Sequence, residues 1–287
     1  MEWESVKDSW VLANQKKIPC MGYGTWLLSG EEAVDSIKKA VRLGFRHIDT
    51  AAFYGNEEEV GKAVQQCQDE GIPRNQIFVT SKVWNDNRGY ENTMASFKKT
   101  MERLKFQYLD LFLIHWPASE NRFENWKELN AGTWRALEEL YEAGKVEAIG
   151  VSNFKPHHME ALLETANIKP MVNQIEFHPG FWQKETVEYC KRQEILIEAW
   201  SPFGRGAVLE QELLKNLAKK YDCSTAQICL RWELQHGVLP LPKSSNEDRM
   251  KNNMQVFDFS LTEEDMKQID EMPICGFSGE DPDQIEF

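Results

Sequence analysis

From Met21 onward, short apolar runs alternate with longer stretches in which apolar residues recur at helical spacing. That alternation predicts parallel strands joined by helices. The expected strands are Met21–Thr25, Phe45–Asp49, Phe78–Lys82, Leu109–His115, Val146–Ser152, Met171–Glu176, Leu196–Trp200 and Val238–Lys243. Eight such units are the count of an α/β fold of the (β/α)8 TIM-barrel type. Ahead of them, Val11-Leu12 and Ile18-Pro19 flank Asn14-Gln15-Lys16, which predicts an N-terminal β-hairpin within residues 1–20.

Helix starts are marked as well. Ser29-x-x-Glu32 and Ser224-x-x-Gln227 have the form of capping boxes, Asn56-x-x-Glu59 precedes Val60, Ala63, Val64 and Cys67, and Thr262 opens a last helix over Glu263 to Glu271. Gly44 and Gly71 are the expected stops. No linker or composition shift divides the chain, so residues 1–287 are read as one barrel domain with a short tail, 273–287. Two connections are long, Trp116 to Gly132 and Ser201 to Gln211. Both leave the C-terminal rim, where a barrel carries its substrate loops.

Composition narrows the class. With 46 acidic against 33 basic residues the net charge is −13, which disfavours binding to nucleic acid or an anionic membrane surface. No window approaches a membrane span, Met1 to Ser9 is not a signal peptide, and the six cysteines include no C-x-x-C. A reduced, cytoplasmic monomer without a metal site is the expectation.

The chemistry gathers at strand tips. Asp49 ends the second strand, Tyr54 follows one loop later, Lys82 ends the third and His115 the fourth. A free phenol titrates near 10, and bringing it toward neutrality requires roughly 3 to 4 kcal/mol of preferential phenolate stabilisation. An ammonium about 4 Å away supplies about that much at an effective dielectric near 20. Lys82 is placed to do so, Asp49 to keep Lys82 charged, and His115 to hold a carbonyl oxygen near the phenol. Taken singly, Asp49 reads as half of an ion pair, Tyr54 as a rim tyrosine, Lys82 as a solvated strand end and His115 as a core histidine. His47 and Trp134 are assigned to the core outright. Four polar groups at one rim argue for a site that protonates the oxyanion formed when a hydride adds to a carbonyl.

A G-x-G-x-x-G fingerprint is absent. Instead Lys243, Ser244 and Arg249 cluster where the last strand runs into a helix start, a setting suited to phosphate. A phosphate on the adenosine ribose predicts NADP rather than NAD.

These residues together resemble the aldo-keto reductase superfamily over nearly the whole chain. The motifs are Gly44 to Thr50 (GFRHIDT), Tyr54 to Glu57 (YGNE), Lys82 to Trp84 (KVW), Asp110 to Pro117 (DLFLIHWP), Gly150 to Phe154 (GVSNF), Asn173 to Pro179 (NQIEFHP), Ser201-Pro202 and Pro242 to Ser244. The resemblance implies that Asp49, Tyr54, Lys82 and His115 are the catalytic tetrad, and that NADPH/NADP+ is the cofactor. Ser152, Asn153 and Gln174 would hold the nicotinamide carboxamide. Trp200 would stack on the ring where the family usually has tyrosine. Thr25, Trp26, Ser201 and Phe203 would add contacts. Lys243, Ser244, Ser245 and Arg249 would hold the 2′-phosphate, with Asn252 and Asn253 near the adenine. Asn252 stands where Glu or Gln is common. Trp26, Phe53, Trp84 and Trp116 would wall an apolar substrate pocket. The short tail resembles microbial members that reduce small aldehydes, diketones, keto-sugars or prostaglandin-type carbonyls. A Schiff-base lyase using Lys82 and an NADPH-binding redox-sensing module with little turnover are the other classes open to this chain.

Overall fold

The computed structural model describes residues 4–285. Of the expected hairpin segment and tail, residues 1–3 and 286–287 lie outside the described residues.

A two-stranded antiparallel hairpin, β1 (Ser9–Val11) and β2 (Lys17–Pro19), comes first. The chain then alternates strand and helix: β3 (Tyr23–Gly24), α1 (Gly30–Leu43), β4 (His47–Asp49), α2 (Glu57–Asp69), β5 (Phe78–Val83), α3 (Tyr90–Leu104) and β6 (Leu111–Ile114). It continues through α4 (Trp126–Glu142), β7 (Ile149–Ser152), α5 (Pro156–Leu163), β8 (Val172–Glu176), α6 (Lys184–Arg192) and β9 (Leu196–Trp200). Two helices follow, α7 (Glu212–Lys220) and α8 (Thr225–Gln235), then β10 (Val238–Pro240), α9 (Glu247–Met254) and α10 (Glu263–Asp270). The strands β3 to β10 form one parallel sheet in sequence order. Gly22 and Gly24 donate their N–H groups to the carbonyls of Pro240 and Pro242, at 2.9 and 3.1 Å, so the first strand meets the last. The architecture is the (β/α)8 barrel. Gly22 is required at this seam, because a Cβ there would lie 2.7 Å from His47 Nδ1 and collide with Leu241.

Several elements are shorter than the apolar runs. β6 starts at Leu111 because the Asp110 carboxylate turns aside to accept from Val79 N–H and Arg74. β10 stops at Pro240, since prolines 240 and 242 have no N–H to donate. The Ser224 and Thr262 caps form, each side chain accepting from the amide three residues on. Those at Ser29 and Asn56 do not. Asn56 instead accepts from Thr50 Oγ1 and donates to the carbonyls of Thr25 and Leu28, which ties the rim loops together. The connection after β6 ends at Asn125, not Gly132, because α4 begins at Trp126.

His47 and Trp134 are buried. Among the described residues no helix is long and apolar enough to cross a membrane.

Candidate active site

Asp49 closes β4, and the chain then makes a single 3-10 turn, Ala52–Tyr54, that ends on Gly55 at φ 67°. That left-handed turn returns Tyr54 over the strand tip. The ammonium of Lys82, from β5, donates to Asp49 Oδ1 at 2.8 Å, to the Thr50 carbonyl at 3.0 Å and to Tyr54 Oη at 3.2 Å. Three acceptors use all three of its N–H donors. Because the phenol oxygen accepts from Lys82, its own hydrogen is left to be donated elsewhere. His115 follows β6, with its ring 5.7 Å from that of Tyr54.

Charge states follow from this packing. Burial alone would discharge Lys82, but Asp49 and then Tyr54 outweigh it and hold the ammonium above its ordinary value. Burial, with the Lys82 charge adding, pushes His115 well below its ordinary value, so the ring is neutral and acts as a hydrogen-bonding group. Tyr54 departs from the sequence expectation. Burial raises it more than the Lys82 charge and hydrogen bond lower it, Asp49 and Glu280 also push it up, and the phenol ends above its ordinary value. Lys82 acts in the expected direction; the loops that bury the ring decide the net result.

Beside this group runs a chain of hydrogen bonds. Asn153, at φ 64°, donates through Nδ2 to the His115 carbonyl and to Ser152 Oγ. Ser152 Oγ donates to the Gln174 carbonyl, and Trp200 Nε1 donates to Asn153 Oδ1 at 2.8 Å. Gln174 turns its amide inward, giving Nε2 to Asp49 Oδ2 and to Glu198 Oε2. Thr25 Oγ1 donates to the Asp49 carbonyl. Ser201, at φ 51°, turns the chain out of β9, and half-buried Phe203 packs on the core beneath the connection.

A second polar group surrounds the start of α9. Lys243, Ser245, Arg249 and Asn252 are exposed there, while Ser244 and Asn253 are buried. Tyr23 Oη holds the Ser244 carbonyl at 2.6 Å, and Asn246 caps the helix by accepting from the Arg249 amide. Glu247 pairs with Lys251, so it does not neutralise Lys243 or Arg249, and neither of these has an ion-pair partner among the described residues. A Cβ on Gly24 would lie 3.7 Å from Lys243 Cβ, which puts this group next to Thr25 on the rim.

Trp26, Phe53 and Trp84 form one stack, with centroids 5.6 and 3.8 Å apart and planes within 17° of parallel. Trp116 lies edge-on to Trp200.

Two features escaped the sequence reading. The tail is strapped across the rim: Lys155 pairs with Asp281 and Asp283, His157 lies 3.0 Å from Asp283, Arg205 pairs with Glu280, and Ser278 bonds Glu176. Nothing in local spacing announces pairs this far apart. The other is Glu198, a lone acid in the apolar strand Leu196–Trp200, and that contrast is a signal the sequence does carry.

Comparison with known proteins agrees with this fold. The Aldo/keto reductase family model matches residues 20–274. Glyoxal reductase of Bacillus subtilis (strain 168) is 49% identical over 284 residues, 99% of each chain. The crystal structure of MGS-M4, an aldo-keto reductase enzyme from a Medee basin deep-sea metagenome library, superposes with a TM-score of 0.90 at 41% identity, covering 97% of this chain and 100% of that one. A point mutant of Gox0644, solved in complex with NADPH, superposes with a TM-score of 0.89 at 36% identity over 98% of this chain and 99% of that one.

Proposed function

The chain belongs to the aldo/keto reductase family, and on that premise we propose that it reduces the carbonyl of a small aldehyde or ketone to the alcohol, with Tyr54 as proton donor and NADPH as reductant. Bound NADPH supplies the hydride, which adds to the carbonyl carbon as the π electrons move to oxygen. Tyr54 gives its proton to that oxygen. An alkoxide is a far stronger base than a phenolate, so a phenol held above its ordinary value still transfers the proton downhill. Lys82 then stabilises the phenolate, Asp49 holds Lys82 in place, and neutral His115 orients the carbonyl.

The observation that carries this reading is the Lys82 ammonium bridging Asp49 and Tyr54 at one barrel rim. The residues present also fit the cofactor. Lys243 and Arg249, without ion-pair partners among the described residues, suit a 2′-phosphate at the start of α9. Ser152, Asn153 and the Gln174 side chain would meet a carboxamide, and Trp200 offers an indole face. Thr25, Trp26, Ser201, Phe203, Ser244, Ser245, Asn252 and Asn253 are the remaining contacts on this reading. On this reading Trp26, Phe53, Trp84 and Trp116 wall the substrate site, and a small dicarbonyl such as glyoxal is the substrate favoured, in keeping with the Bacillus relative's name. Lys82, held protonated, has no lone pair for a Schiff base. The chain is read as a single cytoplasmic domain acting as a monomer, without nucleic-acid partners.

The test is NADPH oxidation with methylglyoxal by wild type and Tyr54→Phe. Loss of general-acid catalysis should cost on the order of 10² to 10⁴ in turnover. A variant with wild-type turnover ends the proton-donor role.

A further inference from the structure

The polar chain of the site does not stop at Asp49. The two N–H bonds of the Gln174 side chain are divided between two carboxyl groups, Asp49 Oδ2 at 2.9 Å and Glu198 Oε2 at 2.7 Å. Glu198 lies in the middle of β9 and is fully buried in the barrel interior. Its other oxygen, Oε1, has no hydrogen-bond partner among the described residues and sits 4.0 Å from His47 Nε2. His47 is no counter-ion. Its Nε2 is engaged with Thr80 Oγ1 at 2.9 Å, and burial, followed by the Lys82 charge, pushes the ring down to about 3.

The titratable groups around Glu198 are therefore Asp49 and His47 from β4 and Lys82 from β5. Only Lys82 is cationic, and its three donors are already on Asp49, Thr50 and Tyr54. Placing an unpaired carboxyl here has a desolvation cost that a leucine would avoid, so its presence calls for a role.

We propose that Glu198 is a positioning residue for carbonyl reduction: it takes one Gln174 N–H so that the other is held on Asp49, which in turn keeps Lys82 on Tyr54. The inference rests on Tyr54 being the proton donor. Burial, then the Asp49 charge, pushes the Glu198 carboxyl up to about 8, against the Gln174 hydrogen bond and Lys82. Below that pH the group is neutral and the site carries one carboxylate for one ammonium. Above it, a second negative charge shares the same ammonium, the phenolate on Tyr54 is less well stabilised, and proton donation slows.

The experiment is the pH profile of kcat for methylglyoxal reduction at saturating NADPH, for wild type, Glu198→Gln and Glu198→Leu, with Tyr54→Phe in parallel. Leucine removes the acceptor, and kcat should fall on the order of tenfold with little change in carbonyl KM. Glutamine restores an acceptor and should recover most of that loss. Wild-type kcat should fall as pH rises past about 8, and because glutamine does not ionise, that fall should be absent from Glu198→Gln. A folded Glu198→Leu enzyme with wild-type kcat, or a Glu198→Gln profile that still falls near pH 8, with Tyr54→Phe inactive, overturns the role of Glu198 and leaves the proton donor standing. If Tyr54→Phe turns over at the wild-type rate, the underlying reading falls and this one with it. Should the leucine variant fail to fold, the glutamine profile alone decides.

Discussion

Replacing Lys82 by methionine keeps most of the side-chain volume and removes the charge. The ammonium lies 3.2 Å from Tyr54 Oη. At an effective dielectric near 20, a unit charge at that separation stabilises the phenolate by about 5 kcal/mol. Asp49, hydrogen-bonded to the same ammonium at 2.8 Å, lies further from the phenol and opposes about half of this. With Asp49 left ionised the single variant loses the whole of this, whereas neutralising both groups leaves a net loss of about 2 to 3 kcal/mol, a fall on the order of a hundredfold in the rate of reduction. The assay is single-turnover loss of NADPH absorbance with saturating methylglyoxal. A complication is that Lys82→Met strands Asp49, and breaking a buried pair destabilises a fold by roughly 3 to 5 kcal/mol. The double variant Lys82→Met with Asp49→Asn separates the two effects. Stability, read by urea unfolding, should return toward wild type while turnover stays low. A folded Lys82→Met enzyme with the wild-type single-turnover rate would refute the electrostatic argument, and so would a double variant that regains turnover.

Three further outcomes are expected. Arg249→Ala should lower the ratio of kcat/KM for NADPH over NADH by on the order of tenfold, the value of one charge-assisted hydrogen bond; an unchanged ratio would remove Arg249 from phosphate recognition. Glu233 is fully buried in α8, neither carboxyl oxygen has a hydrogen-bond partner among the described residues, and burial holds it protonated well above the ordinary carboxylate range. A raised native value means the native state keeps a proton that the unfolded chain releases, so stability is complete at low pH and declines as pH rises past the ordinary carboxylate value. Glu233→Met should remove that slope and raise stability by roughly 1 to 3 kcal/mol, measured as urea midpoints at acid and neutral pH; a lower midpoint at both would contradict it. Burial works to raise Asp283, but Lys155, His158 and His157 outweigh it and hold the carboxyl below its ordinary value. Its contribution is thus present above the ordinary carboxylate value and lost on acidification. Protease cleavage of the tail should rise as pH falls, and Asp283→Asn should show fast cleavage at every pH; a variant tail as resistant as wild type would mean the clamp does not anchor it.

What could be read along the chain was whatever a residue decides with its near neighbours. Leu196–Trp200 is a strand end to end, and the Ser224 and Thr262 caps form because each partner lies three positions away on the same helix turn. The placing of Asp49, Lys82 and His115 within a residue of their strand ends follows from strand length, although β5 runs one residue further, to Val83, and β6 stops at Ile114. Tertiary structure decided the choice of partners. Asn56 has the residue type of a cap, yet its amide went to Thr25 and Leu28, brought close by barrel closure. Tyr54 has its lysine, yet burial, with Asp49 and then the tail carboxylate Glu280 adding, reversed the expected direction of its acidity. Gln174 reaches Asp49 across 125 positions of sequence, and Glu198 completes the link only because β8 and β9 face the same interior. The physical reason is common to all three. Periodicity and propensity act over a turn or a strand, whereas desolvation and hydrogen-bond satisfaction depend on every segment that arrives to exclude water.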